Sequence, residues 1–138
     1  MKTTPARWAV RDRRRLLAAI LEKVVGNAHI SFEGNLRNLT LVNIPGAAQD
    51  ETSVLKRNTT WPTQDFVVLP LESDTIKGIL VAIGATVPRS ILHIQLEKDG
   101  VLEFAAYDQF DPECIFLGPL LRGEFLDSLV SEGVLHNT

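Results

Sequence analysis

The stretch Ile91 to Tyr107, ILHIQLEKDGVLEFAAY, constrains the chain most, because two β-prone runs flank Lys98-Asp99-Gly100 and predict a hairpin. A two-residue Asp-Gly loop would set Leu96 opposite Glu103 and mix apolar with charged side chains on one face. A three-residue loop, with Gly100 left-handed, instead pairs Leu96 with Leu102, Ile94 with Phe104 and Leu92 with Ala106. Only that register makes one face wholly apolar, so it is the expected one. Burying its large side chains contributes about 1.5–3 kcal/mol each before chain entropy is counted. The other face carries His93, Gln95, Glu97, Glu103 and Tyr107, so it is either wet or covered by a partner.

Around the hairpin the chain offers enough apolar residues for one core. At 138 residues and 45% apolar, a single domain spanning residues 1–138 is expected. The lone Cys114 excludes an internal disulfide framework and a cysteine-rich zinc site, and it suits a reducing, cytoplasmic setting. Glu22-Lys23 interrupt the apolar run that begins at Leu16, against a secretory signal, and no run reaches membrane-spanning length. The net charge of −3 conceals an asymmetry. Residues 1–25 hold seven bases against two acids, a net +5; the remainder holds seven bases against fifteen acids, a net −8.

Thr4-Pro5 reads as a helix start and Gly26-Asn27 as its stop. Ala9, Val10, Leu16, Leu17, Ile20, Leu21 and Val24 then share one arc, with Arg7, Arg11, Arg14 and Arg15 on the far side. Arg13 falls in the apolar arc, where it needs a carboxylate or a packed stem. Ala28–Phe32 and Leu36–Ile44 read as strands, Ala47–Thr63 as a long irregular loop, and Asp65–Leu71 as a strand buried on both faces. Ser73 caps a helix that ends at Gly84, with Ile76, Ile79, Leu80 and Ile83 inward. After the hairpin come a turn at Asp108–Pro112, a strand at Cys114–Leu117 and a helix at Leu120–Val130. The sum is an α+β fold: a mostly antiparallel sheet with N-terminal, central and C-terminal helices packed on it.

No motif states a chemistry. The turn Tyr107-Asp108-Gln109-Phe110-Asp111-Pro112-Glu113 concentrates three carboxylates; it reads as a solvated turn, as an oxygen site for a hard cation, or as a surface that steers a basic partner. His29 and His93 lie opposite the apolar sets of their strands and form an acid–base pair only if those strands adjoin. Cys114 reads as a small buried hydrophobe unless one of these histidines reaches it. Trp61-Pro62 in the long loop is either an interface anchor or a plug in the core.

Three functions follow. The first is a non-enzymatic protein-binding module, of inhibitor or immunity type, that engages a basic partner through Glu97, Glu103, Tyr107, Asp108, Asp111 and Glu113, with Trp61 as apolar anchor. The second is nucleic-acid association through Arg7, Arg11, Arg14 and Arg15. The third is a small hydrolase using His93 or a divalent ion at the acidic turn. No cofactor is expected for the first two, and a symmetric dimer through the hairpin or last helix is compatible with each.

Overall fold

The computed structural model describes residues 7–138. Along them run β1 (Trp8–Val10), α1 (Arg13–Val24), β2 (Ala28–Gly34), β3 (Asp65–Pro70), α2 (Ile76–Ile83), β4 (Ile91–Lys98), β5 (Val101–Ala106), β6 (Ile115–Leu117), α3 (Glu124–Ser131) and β7 (Leu135–Asn137). Strands β3-β2-β4-β5-β6 form one antiparallel sheet, and β1 pairs with β7 in a second. The α+β class expected from the element order is the class observed.

Register explains where the core lies. Across the large sheet, Val67, Phe32, Ile94 and Ala106 make one row and Leu69, Ile30, Leu96 and Phe104 the next. All eight are buried, and α1 packs Leu16, Leu17, Ile20, Leu21 and Val24 into the same core. That spacing puts all five on one helical face, so α1 needs only one apolar partner, the sheet. Two long cations close helix ends. Lys98 Nζ donates to the carbonyls of Val24, Val25 and Gly26 at the end of α1 (2.9, 3.1 and 2.6 Å), and Arg14 Nε donates to Gly84 O (2.9 Å) at the end of α2.

Several local expectations are corrected. The expected start at Thr4-Pro5 lies outside the described residues; among those described, Trp8–Val10 is a strand and α1 begins at Arg13. Asp12 is the cap, its side chain accepting the Arg15 N–H at 3.0 Å. Pairing with β7 through Trp8↔Asn137 and Val10↔Leu135 holds the preceding residues extended against their helical spacing. Leu36–Ile44 is not a strand but a run of turns around a 3-10 turn at Leu41–Asn43, with Leu36, Leu41 and Ile44 pointing into the core. The central helix starts at Ile76 rather than at Ser73, and the last at Glu124, after a 3-10 turn at Pro119–Leu121.

The hairpin corrects its own argument. Asp99 (φ 53°) and Gly100 (φ 80°) are both left-handed and form a two-residue turn that pairs Lys98 with Val101. A β-bulge then leaves Glu103 without a partner on β4, because Glu97 pairs with Leu102 and Leu96 with Phe104. One extra residue returns Phe104 and Ala106 to the apolar face and sends Leu102 to the other. Glu103 turns under Gly118, where even a Cβ on the glycine would lie 2.5 Å from Glu103 Oε1. Its Oε2 accepts the Leu120 N–H at 3.3 Å, and Oε1 is buried without a partner among the described residues.

Candidate functional site

The second face of the large sheet is polar by alternation, yet much of it is buried. Glu33 sits between Phe66 on β3 and His93 on β4, and Ser31 between Val68 and Gln95. Glu33, Ser31, His93 and Gln95 are all under a tenth exposed. What covers them is the chain's own segment Val54–Thr59, a strap that crosses three strands.

Each turn of the strap meets a group of matching chemistry. Leu55 is fully buried with Phe66 and Val68, and Val54 and Leu102 pack around them. The Lys56 N–H donates to Gln95 Oε1 at 3.0 Å. The Arg57 guanidinium lies 5.0 Å over the Phe66 ring. Consecutive N–H groups of Asn58 and Thr59 donate to the two carboxylate oxygens of Glu33 (2.7 and 3.1 Å). Such charge-assisted bonds supply partners for a carboxylate that would be costly to bury bare.

His93 ends the row and joins two surface segments. Its Nδ1 accepts the Asp108 N–H at 3.1 Å, which fixes the tautomer, so Nε2–H donates to Thr59 Oγ1 at 2.7 Å. Both nitrogens are committed and the ring is 4% exposed, so it offers no site for proton transfer to a ligand. His29 lies on the same face but four residues along β2 from Glu33, the partner of His93. Its Nδ1 is 2.7 Å from Glu97 Oε1, while Glu97 Oε2 accepts the Gly100 N–H. The two histidines therefore do not form a pair. The hairpin face read as wet or partner-covered is largely covered from within.

The acidic candidates separate accordingly. Glu97 is tied to His29 and Gly100, and Glu103 is buried under the β6–α3 connection. Tyr107 is half-buried, its hydroxyl accepting from Gln95 Nε2 at 2.8 Å. Asp108, Asp111 and Glu113 remain exposed, and Glu113 pairs with Arg7 at 3.1 Å. Their turn is strained: Asp108, Gln109 and Phe110 are consecutive non-glycine residues at φ 51°, 57° and 63°. Left-handed backbone costs about 1–2 kcal/mol per residue for ordinary side chains. The turn is held by Asp108 N–H on His93, Gln109 N–H on Leu92 O (2.9 Å) and Phe110, which is buried beneath the Arg13 guanidinium at 5.1 Å. Of the two expectations for Arg13, a carboxylate or a packed stem, no carboxylate pairs with it among the described residues; the half-buried side chain lies over an aromatic face.

Cys114 donates to Asp108 Oδ2 at 3.8 Å. Desolvation and the carboxylates of Asp111, Asp108 and Glu113 push its thiol above the ordinary value, opposite to what a nucleophilic thiolate needs. Among the described residues, no group of three or more His, Cys, Asp or Glu side chains is placed to hold a metal ion.

Trp61 is 84% exposed, so it does not plug the core. It stands two residues beyond Thr59, at the far end of the bond from His93. The arginines do not form a helical ridge. Arg7 and Arg11 flank β1, Arg14 closes α2, and Arg15 pairs with Glu132 at 2.7 Å. Arg11 is exposed.

Sequence reading missed Glu33, Thr59 and the structural use of Gln95. The signal was the alternation His29, Ser31, Glu33 in β2, which matches His93, Gln95, Glu97 in β4. Among the described residues, no helix is long and apolar enough to cross a membrane. Compared with protein-family models, curated proteins and solved structures, the chain matches none.

Proposed function

We propose that this protein is a non-enzymatic binding module that engages a basic protein partner through Trp61 and the acidic turn Asp108–Glu113. One observation carries the reading. Buried His93 bonds to Thr59, two residues before Trp61, and to the backbone of Asp108, so an exposed tryptophan and an exposed carboxylate turn share one internal anchor. An aromatic anchor combined with charge is the composition of an interface hot spot with a steering field. Strain retained in the acidic turn is in keeping with a functional segment. Glu97 and Glu103 serve the fold in this reading, and Tyr107 supports the turn through Gln95. An inhibitor or immunity-type role against a basic protein in the cytoplasm is its narrower form.

The nucleic-acid alternative is weaker, because Arg7, Arg14 and Arg15 have partners within the protein and leave Arg11 as the member of the set without a side-chain partner among the described residues. The hydrolase alternative loses His93, whose nitrogens are both occupied.

The test is affinity recovery from host lysate with nuclease treatment, comparing wild type, Trp61→Ala and the double variant Asp108→Asn/Asp111→Asn. The proposal expects a basic protein retained by wild type after nuclease and lost from both variants at unchanged melting temperature. Identical recovery by all three, or recovery that vanishes with nuclease, would overturn it.

A further inference from the structure

On the β3 side of the strap, a surface cleft of about 320 Å³ opens beside Phe66, with Leu36, Leu39 and Val42 completing its apolar lining. Two guanidiniums, Arg37 and Arg57, line it as well. Arg57 is fixed in two ways: its guanidinium lies over the Phe66 ring, and its Nη1 donates to the Gln64 carbonyl. Neither arginine takes part in an ion pair among the described residues. The Asp65 carboxylate also lines the cleft and Glu51 bonds to the Arg57 backbone, so each acid already accepts from a backbone donor. Asp65 Oδ2 accepts the Leu36 N–H at 3.0 Å, and Glu51 Oε2 accepts the Arg57 N–H at 2.7 Å.

A guanidinium held over an aromatic ring and tied to a carbonyl loses little freedom on meeting an oxyanion, and its fork matches carboxylate and phosphate oxygens. An apolar wall with a few convergent polar groups at the small end of the usual ligand-site volume fits a compact amphipathic molecule. We propose that this cleft binds a small anion: an oxyanion head, carboxylate or phosphate monoester, carried on a short apolar body. Arg37 and Arg57 take the head, and Leu39, Val42 and Phe66 take the body. Trp61 is not among the residues that line the cleft, and the anion titration reads the cleft without any protein partner, so either assignment can fail without the other.

The test is a titration of the full chain followed by amide NMR shifts, using hexanoate and hexyl phosphate as probes, with hexanol and hexylamine as controls. The proposal expects saturable shifts around Arg37, Gln64 and Phe66 with at least one anion. Which anion binds tells the carboxylate from the phosphate. Arg37→Met, an exposed position whose side chain makes no hydrogen bond among the described residues, and Arg57→Met, which keeps an apolar stem on Phe66, should each weaken binding about tenfold, the scale of one charge-assisted contact. Shifts that do not saturate, equal shifts with hexanol, or binding by either variant as tight as wild type would overturn it.

Discussion

Nε2 of His93 donates to Oγ1 of Thr59 at 2.7 Å, and this bond joins a buried strand position to the loop that presents Trp61. The same ring accepts the Asp108 N–H, so one imidazole sets the position of two exposed segments.

Thr59→Val keeps the shape of the side chain and removes the acceptor, leaving the His93 Nε2–H buried without a partner. An unsatisfied buried donor costs about 1–3 kcal/mol. Chemical denaturation should register a loss in that range, and limited proteolysis should cut first near residues 54–61. A change below a few tenths of a kcal/mol would mean that water already serves the imidazole.

Strain in the acidic turn gives a prediction of opposite sign. Gln109 sits at φ 57° and is exposed, so Gln109→Gly should relieve the backbone. Its side-chain bond to Arg89 O (2.6 Å) is lost, but at a solvated position this contributes little. A net gain of about 0.5–1 kcal/mol is expected by denaturant unfolding. Lower stability would show that the bond to Arg89 outweighs the strain.

Lys98 closes the end of α1 with three donors to three carbonyls. Lys98→Met retains the stem and removes the charge, and it should destabilise by about 1–2 kcal/mol. Faster amide exchange in the last turn of α1, with β4 unchanged, would locate the effect at the helix end. Uniform acceleration across the protein would place it elsewhere.

The Cys114 thiol lies above its ordinary pKa because of desolvation and the neighbouring acids Asp111, Asp108 and Glu113. A raised thiol pKa means less thiolate at pH 8, so alkylation by iodoacetamide should run slower than for a free cysteine. Asp111→Asn removes a negative charge, lowers the thiol pKa and should speed alkylation, shifting its pH profile to lower pH. A profile identical to wild type would remove Asp111 as a cause.

How much of this was legible in the sequence depends on which interactions set each element. The inner face of the sheet could be read because Ile30, Phe32, Ile94 and Leu96 alternate, and alternation is local. The hairpin register could not, since the comparison of loops assumed an unbroken ladder and the bulge at Glu103 changes the parity. The first helix was placed too early because residues 8–10 keep an apolar spacing compatible with a helix while pairing with β7, a contact between the two ends of the chain. The strap has no period, and its bonds to Gln95 and Glu33 run through backbone N–H groups, which every residue but proline carries. Trp61 reads from the sequence as either an interface anchor or a core plug, because exposure is a tertiary property; only the fold shows that it faces solvent.

The most direct test of the account is native-state hydrogen exchange at the amides of Lys56, Asn58 and Thr59, whose acceptors are Gln95 and Glu33. The account predicts strong protection in wild type, with Asn58 and Thr59 losing most of it in Glu33→Ala while β4 stays protected. Exchange of the three wild-type amides at the rate of an unstructured chain would contradict it, because the strap would then not anchor the loop that presents Trp61.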